Sequence, residues 1–158
     1  MTSRAYVGLG ANLGADLGAT LTQAALHLAA LPGTQVSALS SLWRSAPVDA
    51  EGPDFVNAVV ALDTGLAPLP LLDALQAIEL AHGRERPYRH APRTLDLDLL
   101  LYDDAVLDTP RLTLPHPRLG ERAFVLRPLL EIAPGLIGLA SGAAWQTQRI
   151  ERLGPLSL

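Results

Sequence analysis

Residues 35–44 read QVSALSSLWR and residues 55–64 read FVNAVVALDT. Both are β-rich runs, and the second carries the denser set of β-branched side chains. Ser45 to Pro53 between them holds Pro47, Gly52, Pro53 and two acids, which reads as a loop. Two strands joined without a helix must pair antiparallel or lie in different sheets, because a parallel pair needs a long crossover. This junction therefore argues against a doubly wound parallel sheet.

Working outward, Ala5 to Gly10 reads as a short strand and Asn12 to Asp16 as a turn. Leu17, Leu21, Ala24, Ala25, Leu28 and Leu31 recur at helical spacing, and Pro32-Gly33 ends that helix. Downstream, Ala67 to His82 keeps helical periodicity through Leu72, Leu75 and Ile78, with Gly83 just past its end. Thr94 to Tyr102 is an apolar run broken by two aspartates, followed by an Asp103-Asp104 turn. Leu107 to Pro117 reads as irregular, Glu121 to Ile132 as partly helical around Pro128, and Trp145 to Leu153 as a closing helix. The order β-α-β-β-α-β points to an α+β, ferredoxin-like sandwich, an antiparallel sheet with helices packed on one face. No repeat or linker interrupts it, so residues 1–158 are expected to form one domain.

Composition narrows the chemistry. The chain has no cysteine, which removes disulfides, thiolate nucleophiles and cysteine-held metals. All 12 basic residues are arginine, so no P-loop or Schiff-base lysine is possible, and phosphate binding falls to arginine, backbone amides and metal. A net charge of −4 argues against a nucleic-acid surface. No apolar run approaches the roughly 20 residues that span a bilayer, and the first residues lack a signal-peptide pattern. A cytoplasmic protein without a membrane partner is expected.

Leu95-Asp96-Leu97-Asp98-Leu99 alternates with period two. On a strand the two carboxylates share a face, with Cα atoms about 6.6–6.8 Å apart. On a helix they would diverge by about 200°. Two acids on one face of an apolar strand repel each other and need a positive partner. Surface exposure or pairing with arginine would satisfy them, and so would Mg²⁺, which takes one or two carboxylates plus phosphate oxygens. Immediately upstream, residues 84–93 hold four of the 12 arginines, including Arg84 and Arg93. Cations beside acids favour a polyphosphate clamp shared by metal and arginine.

Other candidates are weaker singly. Phe55 and Asn57 share a strand face and could stack and read a flat heterocycle, although taken alone an ordinary core Phe and a backbone-bonded Asn explain them better. Gly8, Gly10 and Gly14 do not match the dinucleotide fingerprint, and Gly8 to Gly14 reads as a tight turn into a helix. The four histidines lack metal-binding spacing, though His116 lies in an exposed-looking Leu114-Pro115-His116-Pro117 turn. Trp43 and Trp145 read as packing residues.

Together these segments resemble the 6-hydroxymethyl-7,8-dihydropterin pyrophosphokinase family. The likeness rests on Arg84 and on Pro92-Arg93-Thr94-Leu95-Asp96-Leu97-Asp98, supported in order from Tyr6 to Pro134. The resemblance implies the ferredoxin-like fold and transfer of pyrophosphate from ATP to the pterin hydroxymethyl group, with AMP leaving. It implies two Mg²⁺ ions on Asp96 and Asp98, with Arg84 and Arg93 also catalytic. It implies a pterin pocket of Phe55, Phe124, Asn57 and the stretch holding Ser45, Ala46 and Val48. Gln76, Glu79, Arg84, Arg93, Arg111, His116 and Arg122 match positions lining the ATP region. The small-molecule substrates are the expected partners, and a monomer is expected. Three departures stand out: His90 replaces a usual loop tryptophan, Ala46 a usual proline, and Ala11 a usual serine. A non-catalytic ferredoxin-like sensor would explain the fold and the Phe55/Asn57 pair, but not the acids and the arginine loop together. An RNA-binding module of that fold lacks the basic charge and the usual strand aromatics.

Overall fold

The computed structural model describes residues 2–12, 16–46, 53–82, 95–156 and 158. The strands are β1 (Ser3–Ala11), β2 (Thr34–Leu39), β3 (Ser41–Ser45), β4 (Phe55–Thr64), β5 (Asp96–Tyr102), the short pair β6 (Leu107–Asp108) and β7 (Thr113–Leu114), and β8 (Ile150–Pro155). The α-helices are α1 (Leu17–Ala29), α2 (Pro68–Ala81) and α3 (Ala123–Ile132). The main sheet runs β5-β1-β4-β3-β8, with β2 also on β4, and every pairing is antiparallel. With β2 and β3 taken as one interrupted strand, this is the expected β-α-β-β-α-β order.

The interruption falls at Ser40. Its backbone N–H donates to the Val59 carbonyl at 3.0 Å, and its hydroxyl oxygen accepts from the Val59 N–H at 2.8 Å. A side-chain oxygen thus stands in for a ladder carbonyl, and the single strand expected over 35–44 bends into two. Asp16 caps α1 by accepting from the Ala19 N–H at 3.0 Å. Gly33, at φ +59°, makes the left-handed turn that follows.

The alternating apolar residues of β1 (Ala5, Val7, Leu9, Ala11) and of β5 (Leu97, Leu99) meet α1 and α2 on one face of the sheet. Leu21 and Leu28 of α1 and Leu71 and Leu75 of α2 are fully buried there, each worth about 1.5–3 kcal/mol. From Val56 to Leu62, β4 is buried on both sides, and every residue there but Asn57 is apolar. Its Val59, with Leu100 of β5, packs against Val125, Leu126 and Leu129 of α3. Helices therefore lie on both faces, which corrects the expectation of one covered face.

The closing helix expected over 145–153 is not there. Ala144–Thr147 form a single 3₁₀ turn, and β8 follows. Residues 150–155 pair instead with β3, whose outer edge would otherwise present unpaired backbone groups. Similarly, the irregular stretch 107–117 contains the β6–β7 hairpin and a cis Leu114-Pro115 bond.

Glu131, at the end of α3, ties that helix to the sheet. It accepts from the Ser41 N–H and hydroxyl and from the Trp43 indole, and Arg152 lies 3.6 Å away. Burial pushes its carboxyl up, but the Ser41 and Trp43 hydrogen bonds and the Arg152 charge outweigh that and hold it below its ordinary value of 4.5. A depressed carboxylate contributes stability that is present above the unfolded-state value and lost as pH falls through the folded-state value. Glu131→Gln is therefore expected to lower stability by roughly 1 kcal/mol at pH 7, the group being partly exposed. The deficit should shrink below pH 4.5, and thermal melts at pH 7 and pH 3.5 measure it. An equal deficit at both values would remove the ionic contribution.

Candidate active site

The face that carries α3 is only partly covered, and the candidate residues cluster on its open part. Asp96 and Asp98 are half-buried while Leu97 between them is buried, so both carboxylates share this face. Register extends the row across the sheet. Asp96 stands opposite Gly10, Gly10 opposite Asn57, and Asn57 opposite Trp43. With strands about 4.8 Å apart, Asn57 and Asp96 lie about 10 Å from each other on one floor.

Two glycines stand in that floor, Gly8 beneath the Leu100 side chain and Gly10 open between Asn57 and Asp96. Gly8 faces Asp98 and Gly10 faces Asp96. A Cβ on Gly10 would stand 3.2 Å from the Asn57 Oδ1. Gly8 and Gly10 lie inside β1, as the strand reading of Ala5 to Gly10 expects, and the tight turn read over Gly8 to Gly14 does not include them. The signal was their period-two spacing, which mirrors that of Asp96 and Asp98.

Asn57 is buried, and its side-chain amide donates to the Ser45 hydroxyl at 2.8 Å. Ser45 is paired with Phe55, so Ser45, Phe55 and Asn57 form one edge of the floor. Ala46 is exposed just beyond β3. Phe124 begins α3 on the same face, partly buried against its core, with the Arg122 guanidinium 5.3 Å from its ring centroid.

Arg122 also senses both aspartates. Burial and the charge of Arg118 push its pKa down, while Asp98, Glu121 and Asp96 pull it up. Burial and the charges of Arg122 and Arg118 push His116 below its usual value, against the pull of Asp96. The His116 backbone N–H donates to the Leu100 carbonyl of β5 at 2.9 Å. Residues some 20 or more positions away in sequence thus converge on the acid pair.

A cavity of 240 Å³ opens along the edge of β5, lined by Leu97, Asp98, Arg111, Leu112, His116 and Leu72 among others. Arg111 reaches Asp73 at 2.6 Å and Gln76 at 3.5 Å, both on α2. Glu79 is buried, and its carboxylate accepts from the Leu97 N–H at 2.9 Å, fixing β5 between its two aspartates. Asp98 stands where the edge cavity and the open face meet. Val48, Arg84, Arg86, Arg89, His90 and Arg93 lie outside the described residues.

No cluster of three or more metal-ligating side chains occurs among the described residues. Two carboxylates on an open floor do not make a closed cage. They suit Mg²⁺, which keeps positions for phosphate and water.

The model of the 7,8-dihydro-6-hydroxymethylpterin-pyrophosphokinase family matches residues 6–134. The chain belongs to this family. It is an enzyme, a pyrophosphokinase of folate biosynthesis. The pyrophosphokinase of Pseudomonas aeruginosa is 54% identical over 138 residues, covering 86% of this chain and 84% of that protein. That of Methylorubrum extorquens is 49% identical over 136 residues, covering 85% of each. That of Bacillus subtilis is 42% identical over 133 residues, covering 84% and 79%. The solved wild-type HPPK-DHPS of Plasmodium falciparum shares the fold, with a TM-score of 0.62 at 14% identity over 85% of this chain. The present chain spans only 42% of that one. The α+β arrangement, an antiparallel sheet with packed helices, is the pyrophosphokinase fold. No helix among the described residues is long and apolar enough to cross a membrane.

Proposed function

We propose that the open face is where ATP and 6-hydroxymethyl-7,8-dihydropterin meet, with Asp96 and Asp98 holding two Mg²⁺ ions at the ATP phosphates. The single observation carrying this reading is the shared row: the buried Asn57 amide, the bare Gly10 and the Asp96 carboxylate lie in register on one face. A flat ring read by Asn57 would then have its substituent directed toward the acids.

In this reading Phe55 and Phe124 hold the pterin ring between them, and Asn57, with the segment of Ser45, Ala46 and Val48, bonds its edge. Asn57 is suited to that task because Ser45 fixes its amide, leaving one N–H and the carbonyl oxygen for a ligand. Members of the family use ATP. Gln76, Glu79, Arg111 and His116 serve the nucleotide beside β5, and Arg84, Arg93 and Arg122 face the phosphates. The pterin hydroxymethyl oxygen forms a bond to the β-phosphorus, and the bond to the AMP oxygen breaks. When bound, Mg²⁺ would neutralise phosphate charge and make the hydroxyl proton easier to lose. Arg122 contributes a fixed positive charge in a partly buried place, where it acts more strongly than in water. The whole chain, 1–158, works as one domain, as a monomer and in the cytoplasm.

The products test the reaction type. With ATP, Mg²⁺ and the hydroxymethyl pterin, the chain is expected to release AMP in step with pterin diphosphate, read by phosphorus NMR or chromatography. ADP in place of AMP would overturn it.

A further inference from the structure

Arg122 and Phe124 begin α3, where the helix has no cap of its own: the N-cap residue is Arg122, whose side chain makes no capping bond. The first N–H groups of a helix need acceptors from elsewhere. One comes from Gln148. Its Oε1 accepts from the Ala123 N–H at 2.8 Å, and its Nε2 donates to the Glu121 carbonyl at 2.8 Å. One amide therefore grips the backbone on either side of Arg122, which is held at φ −115° and ψ 118°.

Gln148 is itself held at both ends. Its backbone N–H donates to the Trp145 carbonyl at 3.3 Å. Trp145 is buried, bonds the Gly142 carbonyl at 3.2 Å and lies under the Arg127 guanidinium at 4.9 Å. Two residues further on, Ile150 pairs with Ser45, the residue whose hydroxyl fixes Asn57. Gln148 thus lies on a short path joining the Asn57 side of the floor to the Arg122 and Phe124 side. It also lies outside residues 6–134, the segment matched to the family.

We infer that Gln148 is a positioning residue for the reaction: its two-point clasp sets the backbone of Arg122 and thereby the aim of Arg122 and Phe124. The inference rests on the reading of those two residues given above. Their roles require placement to within a fraction of an ångström, because small misplacements of a binding group carry large rate penalties. A free helix start would let residues 121–124 fray, and the guanidinium would lose its fixed approach to the phosphates.

Two variants test it. Gln148→Met removes both bonds at similar size. Gln148→Glu keeps an acceptor for Ala123 and adds a carboxylate at a helix start, which favours folding, but has no donor for Glu121. Both are expected to lower kcat/KM for the pterin about tenfold or more, with Gln148→Glu melting within about 2 °C of the parent. In an Arg122→Ala background the same changes should cost clearly less than in the parent, since the part of the clasp's effect that runs through Arg122 is already lost and only the part through Phe124 remains. Parental kcat/KM in Gln148→Glu, or a full additive loss on top of Arg122→Ala, overturns the inference. If Arg122→Ala itself leaves turnover intact, the reading of Arg122 fails and the clasp's role with it. A silent Gln148→Glu beside a damaging Arg122→Ala removes the clasp alone.

Discussion

Replacing Asp98 with asparagine is expected to reduce turnover about a thousandfold while the fold persists. The change keeps the size and shape of the side chain and removes one negative charge. That charge matters twice. It belongs to the β5 pair of carboxylates on the open face, and Mg²⁺ holds to a protein through carboxylates far better than through neutral amides. It also pulls on Arg122, so its loss disturbs the balance of charge that would meet the phosphates. A metal ion supplies several kcal/mol of charge stabilisation to phosphoryl transfer, and about 4 kcal/mol corresponds to a thousandfold. The fold is expected to survive, since Asp98 is half-buried on the open face opposite Gly8 and asparagine keeps its size and shape. Three measurements belong together: turnover as AMP release, Mg²⁺-dependent binding of a non-hydrolysable ATP analogue by calorimetry, and a thermal melt. Near-normal turnover in a folded Asp98→Asn protein would end the metal assignment. Lost turnover with a collapsed melt would mean that the side chain supports the fold.

Much of this arrangement was legible in the residues. The period-two spacing of Asp96 and Asp98 put both on one face, and the run from Phe55 to Thr64 is the strand it was expected to be. These are local properties, written in the alternation of side chains along one segment. What stayed hidden depends on tertiary partners. Ser40 breaks its strand because its hydroxyl meets Val59 across the sheet. Residues 150–155 become a strand because β3 has an edge to cover. In sequence Gly8 and Gly10 read both as the end of a strand and as part of a turn, and only register sets them opposite the two acids. Arg122 comes near the acid pair because α3 crosses the second face, and His116 because its backbone N–H bonds the Leu100 carbonyl of β5; no periodicity in those segments encodes either, and only the family resemblance points to them.

Asn57→Ala should separate the two substrates. The side chain is buried at 4% exposure, and its amide is already committed on one side to Ser45. Buried polar groups of this kind discriminate strongly, because a lost partner leaves the ligand's own donors and acceptors unsatisfied. Removing two such bonds costs about 2–4 kcal/mol, so apparent pterin affinity should fall about a hundredfold. The KM for ATP should stay within about twofold, since the edge cavity beside β5 does not include Asn57. Some stability will be lost as well, because the Ser45 hydroxyl loses its donor. Asn57→Ser, which restores a small polar group, helps to separate that loss from binding. Calorimetric titration of each variant with the pterin, and separately with the Mg²⁺-loaded ATP analogue, gives the split directly. Equal weakening of both ligands in a protein with a normal melt would show that Asn57 shapes the floor as a whole and does not read the pterin. Weakening confined to the pterin would place the ring over Gly10, between the amide and the acids, where the row across β4, β1 and β5 leaves it room.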